Sequence, residues 1–249
     1  MNIKSLKKKW NNYGKVDPLW TILTYADKKN NKWKVEEFFK TGQEEIEAVM
    51  KYIQSLKFNL AKKKALDFGC GVGRLTQPLA NYFEEADGVD IAPTMIELAE
   101  KYNRQGARCK YFVNDTDNLK LFPDNNFDFI YTNIVLQHME PRYSKKYIKE
   151  FLRILVPGGL LIFQLPIGKA NEQTFKNRLK KWIIAVTPKV LLDALYKLRY
   201  GELRMDVYGV KKEEIVKLVE ENGARVIDIT KDEATGSHWI SYRYCVAKS

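Results

Sequence analysis

Apolar residues along this chain follow two patterns, short continuous runs and positions spaced as on one face of a helix. The runs predict seven strands, over residues 65–70, 86–91, 108–113, 127–132, 160–165, 224–229 and 239–247. The helical spacing predicts helices over residues 43–60, 75–83, 94–102, 143–155 and 211–221, the first of them capped by Thr41. Strands that alternate with helices are typical of a parallel sheet covered on both faces. The last two strands have no helix between them, so we expect them to pair antiparallel at the end of the sheet.

Residues 167–209 interrupt this alternation. They contain "RLKKWIIAVTPKVLLDALYKLRY", whose apolar and basic residues predict two helical pieces hinged at Pro188. We interpret the segment as a helical insertion before the sixth strand that covers the substrate. Residues 41–166 and 210–249 would then form the α/β domain, and residues 1–40 a basic, aromatic leader that serves as a lid.

The net charge of +11 is concentrated in two segments. Residues 1–64 hold 15 Lys/Arg against 7 Asp/Glu, and residues 167–212 hold 11 against 4. Lysines at this density can serve solubility alone. The alternative is that both segments face an acidic substrate or an acidic surface.

Cysteine usage and hydropathy predict a reducing, cytoplasmic setting. The three cysteines, Cys70, Cys109 and Cys245, fit neither a disulfide framework nor zinc-ligand spacing, and we expect no metal site. The chain contains no run of 18 apolar residues, so we expect no transmembrane helix. No apolar region follows the basic start of the chain, as it would in a signal peptide.

Three glycines stand at alternate positions directly after the first predicted strand, in "ALDFGCGVGRLTQPLA". Gly69, Gly71 and Gly73 depart from the dinucleotide fingerprint G-x-G-x-x-G, because the third glycine comes one residue early. The G-x-x-x-x-G-K-[ST] pattern of a phosphate-binding P-loop is also absent from the sequence. The spacing therefore leaves open a ligand other than a pyrophosphate, such as a small zwitterion that rests on the backbone at the strand end.

This stretch resembles the glycine motif of the class I S-adenosylmethionine-dependent methyltransferases. Four further segments match that family in order along the chain: "GVDIAPTMIELAEKY", "VNDTDNL", "FDFIYTNIVLQHM" and "LVPGGLLIF". The resemblance covers about residues 40–166 and 209–248. It implies a Rossmann-like, doubly wound sheet of seven strands, mostly parallel with an antiparallel last strand, and S-adenosylmethionine as the cofactor.

The resemblance also implies roles for individual residues. Asp90 would accept hydrogen bonds from the ribose hydroxyls, a task that suits a carboxylate. Asp115 would accept one from the adenine amino group, beside Thr116, and Asn133 would line the methionine part of the cofactor. The complete implied cofactor site comprises Asp67, Gly69, Gly71, Gly73, Arg74, Asp90, Ile91, Met95, Asp115, Thr116, Asn133 and Ile134.

Methyl transfer to a hydroxyl needs a group that removes the proton, and the chain has only two histidines. His138 closely follows the predicted fourth strand and His238 opens the last strand, so we expect both to face one cleft. His238 is the favoured base. Either histidine could instead be structural or contact the cofactor. Asp67 could likewise only cap the glycine loop, and Met95 could only pack in the core.

These features favour O-methylation of a small-molecule, sugar or glycan acceptor that carries acidic groups. Aromatic residues in the leader and the insertion, with basic residues beside them, suit such an acceptor. Residues 132–135, "TNIV", replace the N/D-P-P-Y motif of enzymes that methylate nucleic-acid amino groups, so we do not expect a nucleic-acid substrate. The alternatives are N-methylation of a small molecule or RNA, or a cofactor-binding protein that acts through the insertion at a membrane surface or on RNA.

Overall fold

The computed structural model of the protein describes residues 3–170, 187–188, 191, 205–236 and 238–249. One sheet contains the strands β1 (Lys64–Phe68), β2 (Glu85–Asp90), β3 (Cys109–Val113), β4 (Phe127–Thr132), β5 (Leu155–Lys169), β6 (Ala224–Asp232) and β7 (Trp239–Lys248). The seven predicted strands are therefore confirmed. The largest difference is β5, which extends beyond residues 160–165 at both ends.

The strand order is β3-β2-β1-β4-β5-β7-β6. Strands β1 to β5 pair in parallel, and β7 pairs antiparallel with both β5 and β6. The predicted Rossmann-like sheet with an antiparallel end is thus confirmed. Because the chain runs outward from β1 to β3 and then crosses back to β4, the loops after β1 and β4 diverge. Sheets of this kind bind ligands at such a switch point.

Successive residues of a strand lie on opposite faces of the sheet. Leu66 and Ile130 belong to one buried hydrophobic cluster, whereas their neighbours Ala65 and Phe129 belong to another. Both faces are therefore covered, which explains why β1 and β4 are continuous apolar runs in the sequence.

The sheet is accompanied by helices α1 (Ile3–Val16), α2 (Pro18–Ile22), α3 (Val35–Ser55), α4 (Thr76–Leu79), α5 (Pro93–Tyr102), α6 (Pro141–Ile154) and α7 (Lys212–Glu220). The expected cap of α3 was wrong: Thr41 lies inside the helix, and its hydroxyl donates to the carbonyl of Phe38 at 2.6 Å. The helix begins earlier because Phe38 is fully buried, with its ring edge-on to Trp33, and this contact extends the apolar face toward the N-terminus.

Helix α4 covers four residues, fewer than the predicted range 75–83. The amides of Glu84 and Glu85 donate to carbonyls of the segment before β1, at 3.0 and 2.9 Å. The chain must therefore leave the helix several residues before β2 begins.

A buried carboxylate between helices α1 and α2 ties α2 to the segment that follows it. Asp17 is 3% exposed, and it accepts hydrogen bonds from the amides of Trp20 at 3.4 Å and Asn31 at 3.0 Å. The first half of the predicted leader is therefore a folded element that packs on the rest of the protein through Leu6, a member of the main core cluster.

The predicted insertion falls mostly outside the described residues, which do not include 171–186, 189–190 and 192–204. Its two helical pieces and its position over the substrate therefore stay predictions. Within the described residues, no helix has the length and apolar character that crossing a membrane requires.

Candidate functional site

A cavity of about 310 Å³ lies at the carboxyl ends of the parallel strands. The segments that follow β1, β2, β3 and β4 line it from below, and α1 together with residues 21–25 covers it. Residues 205, 207, 234 and 235 add a further wall. This volume is typical of a small-molecule site.

The glycine loop is shaped by close neighbours. Gly69, Gly71 and Gly73 have φ angles of 77°, 53° and 82°, a conformation that other residues rarely adopt. A Cβ at Gly69 would lie 2.4 Å from a methyl group of Val135, and one at Gly71 would lie 2.6 Å from Cδ1 of Ile22. The glycines therefore let the loop backbone approach both the floor and the cover of the cavity.

Asp90, at the end of β2, holds this loop in place. Its Oδ2 accepts a hydrogen bond from the Gly71 amide at 2.9 Å, and its Oδ1 accepts one from the Ala92 amide at 2.8 Å. Burial raises the pKa of Asp90, and the backbone amides oppose that rise. The carboxylate lies in the cavity lining, where its remaining lone pairs can accept from a ligand.

A second carboxylate, Glu45, is partly buried, was not among the residues predicted from the sequence, and supports the opposite side of the loop. Glu45 Oε2 accepts from Arg74 at 2.8 Å, and Glu45 Oε1 accepts from Tyr131 at 2.9 Å and Asn133 at 2.7 Å. Burial alone would raise the pKa of Glu45, but the Arg74 charge and these hydrogen bonds hold it below its usual value. No local signal marks Glu45, because its partners are distant in the sequence.

Most of the implied cofactor residues meet in the cavity. Those in its lining are Gly69, Gly71, Arg74, Asp90, Ile91, Met95, Asn133 and Ile134. Asp67, Gly73, Asp115 and Thr116 are not part of the lining.

Asp67 lies behind the glycine loop, only 1% exposed, and its Oδ2 accepts from the Thr76 hydroxyl at 2.7 Å. Burial raises the pKa of Asp67 to about 7. Gly73 is also turned away, because a Cβ there would meet the hydroxyl of Tyr111 at 2.5 Å. Asp67 and Gly73 therefore shape the loop on the side that faces away from the cavity.

Asp115 is half exposed and pairs with Lys7 of α1 at 2.8 Å. The cavity-lining residue of this segment is its neighbour Asn114, which was not among the residues predicted from the sequence. The Thr116 hydroxyl donates to Asn114 Oδ1 at 2.9 Å, so Thr116 supports that side chain.

His138 reaches the cavity, as predicted, and is 7% exposed. Its Nδ1 lies 2.8 Å from the carbonyl oxygen of Asp206, and its Nε2 lies 3.2 Å from the amide nitrogen of Gln137. The ring of Trp10 packs edge-on against it, with centroids 5.5 Å apart. Burial lowers the pKa of His138 to about 4, although the Asp206 carbonyl opposes this shift.

His238 does not share that cleft, so the expectation that both histidines face it is corrected. The side chain of His238 is exposed and outside the cavity lining. The reason is the length of β5 and β7: β4 ends opposite Phe163, whereas β7 begins opposite Lys169. Six residues of strand place the start of β7 roughly 20 Å beyond β4. The β6–β7 loop instead contributes Thr235 to the cavity.

Polar contacts fasten the cover of the cavity. Besides the Lys7 pair, Lys9 pairs with Asp206 at 3.2 Å, and the Thr94 hydroxyl donates to the carbonyl of Asn11 at 3.0 Å. The leader was predicted to serve as a lid, and the structure brings Leu6, Trp10 and residues 21–25 into the cavity lining.

Comparisons with known proteins agree with this geometry. A family model described as a methyltransferase domain matches residues 66–163. A 2-methyl-6-phytyl-1,4-hydroquinone methyltransferase of Synechocystis is 28% identical over 47% of this chain, and the chain spans only 39% of that relative. An uncharacterised protein of Methanocaldococcus jannaschii is 30% identical over 61% of this chain and 71% of its own length. The crystal structure of magnesium protoporphyrin IX methyltransferase from Synechocystis with bound SAH covers all of both chains, with a TM-score of 0.65 and 18% identity.

Proposed function

We propose that this chain, which belongs to the class I S-adenosylmethionine-dependent methyltransferases, transfers a methyl group from S-adenosylmethionine to an oxygen atom of a small molecule. The cofactor supplies an electrophilic methyl group. The protein must bind it, orient an acceptor beside it and accept the proton of a hydroxyl acceptor.

The observation that carries the cofactor part of this proposal is a pair of buried polar atoms without hydrogen-bond partners. Arg74 Nε and Asn133 Oδ1 are buried and have no hydrogen-bond partner, although both residues line the cavity and both bind Glu45 through other atoms. Buried polar groups are normally paired. The two residues bind opposite oxygens of Glu45. Arg74 Nε can donate to the carboxylate of the cofactor's methionine part, and Asn133 Oδ1 can accept from its ammonium group.

The remaining cofactor contacts follow from the cavity lining. We assign the ribose hydroxyls to Asp90, whose carboxylate already holds the loop. The adenine ring would lie toward Ile91 and Asn114, at the ends of β2 and β3. Asp115 pairs with Lys7 and lies outside the cavity lining, whereas Asn114 lies in it, so Asn114 is the better-placed polar neighbour.

We assign proton removal to His138. Since its Nδ1 bonds to a carbonyl, Nε2 carries the lone pair, and the low pKa keeps the ring neutral at pH 7. An acceptor hydroxyl would replace the Gln137 amide at Nε2. A base with this pKa is weak, so we expect its contribution at the lower end of the range of about 10²–10⁴-fold.

An acidic or sugar-like acceptor has support from charge. Lys7 and Lys9 stand at the cavity cover, where an acidic acceptor would compete with Asp115 and Asp206 for them. The other support is the excess of basic residues over 167–212, which lie mostly outside the described residues. Peripheral membrane contact through that segment and a cytoplasmic location stay predictions.

The function is tested first by calorimetry with S-adenosylhomocysteine, for which we expect micromolar binding. Turnover is then measured as S-adenosylhomocysteine release with phenols, hydroxy acids and phosphorylated sugars as acceptors. Binding without release above the acceptor-free rate across all three classes would favour a cofactor-binding role. Absence of binding would contradict the proposal outright.

The two histidines are distinguished by matched variants. His138→Gln should lower kcat about a hundredfold and leave the Kd of S-adenosylhomocysteine within about threefold, because the lost group acts on the acceptor. His238→Gln should change neither quantity by more than about twofold. A loss of kcat in His238→Gln alone would restore the original preference for His238.

A further inference from the structure

Hydrogen bonds run in sequence from the loop after β4 into the floor of the cavity. The amide of Ile134 donates to Gln164 Oε1 at 3.3 Å. Gln164 Nε2 donates to Thr235 Oγ1 at 2.6 Å and directly to Gln137 Oε1 at 3.2 Å. The Thr235 hydroxyl in turn donates to Gln137 Oε1 at 2.8 Å. Gln137 Nε2 then faces His138 Nε2. Gln164, Thr235 and Gln137 each accept a hydrogen bond through an oxygen atom and donate one to the next member of the series.

The backbone groups at the two ends fix the direction of this series. It begins at the amide of Ile134, which can only donate, and ends at the carbonyl of Asp206, which can only accept from His138 Nδ1. His138 must therefore carry its proton on Nδ1. Gln137 must turn its NH2 group, and not its oxygen, toward Nε2.

Gln164 holds the central position. It lies on β5, is 1% exposed, and has the hydroxyl of Ser241 on β7 as a further partner of its amide nitrogen. One side chain thus links β5, β7, the β6–β7 loop and the loop after β4. A residue so placed orients its neighbours without touching a ligand itself, and it is not part of the cavity lining.

Ile134 shows why such support is needed. Its φ of 60° lies in the left-handed region, which a β-branched residue adopts only when its surroundings impose it. Ile134 lines the cavity beside Asn133, and Gln164 accepts the hydrogen bond from its amide.

We propose that Gln164 is a positioning residue: it holds the Ile134 backbone in the left-handed region and, directly and through Thr235, it orients Gln137 so that the Gln137 NH2 group donates to His138 Nε2. The effect on turnover rests on the proposed function. The hydrogen bond at Nε2 is a property of the free protein and is measured without cofactor or acceptor.

The test uses ¹⁵N spectra of the histidine rings in the full chain. Only two histidines contribute, and His238→Gln identifies the signals of His138. At pH 7 we expect a protonated Nδ1 and an unprotonated Nε2 for His138. In Gln164→Met the Nε2 shift should move because Gln137 is no longer held in place to donate to it, whereas Nδ1 stays protonated against the Asp206 carbonyl. An unchanged His138 spectrum in Gln164→Met, or a protonated Nε2 in the parent protein, would overturn the proposal.

Gln77→Met is the matched control. Gln77 is also buried and also lies outside the cavity lining, and its amide bridges the backbone groups of Tyr102 and Arg104. This variant should lower the thermal midpoint by about as much as Gln164→Met and leave the His138 spectrum unchanged. Equal spectral shifts in both variants would mean that loss of stability, and not position, is responsible.

Gln164→Glu separates the two tasks. A carboxylate can still accept from Ile134 but cannot donate to Thr235 or to Gln137, so the His138 spectrum should resemble that of Gln164→Met. A parent-like spectrum would show that the Ile134 bond alone matters and would overturn the role of the series. With the acceptor found by the turnover screen, both variants should lose about 10–100-fold in kcat. If the parent protein binds no S-adenosylhomocysteine, the proposed function fails while the spectra still decide this inference.

Discussion

Burial shifts the pKa values of two side chains in opposite directions. The pKa of His138 is lowered by burial to about 4 from its usual 6.5, and that of Asp67 is raised by burial to about 7 from 3.8. Between about pH 4 and 6.5 the unfolded chain binds a proton at His138 that the folded chain does not, so this contribution to stability rises with pH. Over about pH 4 to 7 the folded chain keeps the Asp67 proton that the unfolded chain releases, so this contribution falls with pH.

We therefore expect the contributions of His138 and Asp67 to the free energy of unfolding of the cofactor-free protein to oppose each other between about pH 4.5 and 6.5. His138→Gln should expose the Asp67 slope, with stability falling as pH rises, and Asp67→Asn should expose the opposite slope. Each slope should approach about 1.4 kcal/mol per pH unit. Urea denaturation at several pH values measures this, with His238→Gln as the control because that ring is exposed. Parallel profiles for the two variants would contradict the assignment.

Gly69 and Gly158 form a natural pair, because both have a φ of 77° but differ in their surroundings. A Cβ at Gly158 has nothing within 4 Å, whereas one at Gly69 meets Val135 at 2.4 Å. Gly158→Ala should cost about 1–2 kcal/mol from backbone strain alone. Gly69→Ala should cost a further 1–3 kcal/mol, roughly, because the β-branched Val135 cannot move aside easily. If urea denaturation gives equal losses in the free energy of unfolding for the two variants, Val135 can move aside and the contact at Gly69 adds no cost.

At the scale of elements, α1 completes the cavity by packing. Its ion pairs, Lys7–Asp115 and Lys9–Asp206, are partly exposed and contribute little, about 0–1 kcal/mol each. Trp10 instead packs against His138 and lines the cavity. Apolar contact, and not charge, should therefore hold this helix over a bound ligand.

Trp10→Ala should raise the Kd of S-adenosylhomocysteine about 10–100-fold, the loss expected when a large apolar wall worth about 1.5–3 kcal/mol is removed. Trp239→Ala is the control, since this residue is the first of β7 and lies outside the cavity lining. Its ring makes a cation–π contact with Lys169, whose Nζ lies 5.7 Å from the ring centroid. Calorimetry at low and high salt tests the same point. A Kd that weakens steeply with salt in the parent protein would show that the ion pairs close the cavity.

At the scale of the whole molecule, a ligand that spans the ends of several strands ties the cover to the sheet. S-adenosylhomocysteine at a hundred times its Kd should stabilise the fold by about 2.7 kcal/mol and raise the Tm by about 5–10 °C. Asp90→Ala, which should lose about 1.5–3 kcal/mol of binding, should show a much smaller shift at the same concentration. An equal shift with adenosine monophosphate would mean that the methionine part is not bound.

The order of strands and helices was predictable from the sequence because periodicity is local. The run 127–132 corresponds to β4 without any correction, and the alternation along the chain predicted the parallel sheet. The glycine loop and Asp90 were also predictable, because a strand end, three glycines and the next strand end lie within 22 residues of one another. Their contact, Asp90 to the Gly71 amide, follows from the neighbouring positions of β1 and β2.

The tertiary structure decided what depends on segments far apart in the sequence. Glu45 meets Arg74 and Asn133 across 29 and 88 residues, and no local pattern marks such a meeting. The length of β5 and β7 moved His238 away from the cavity. Burial made His138 a neutral ring, since the cost of desolvating a charge depends on everything packed around it and not on neighbours in the chain.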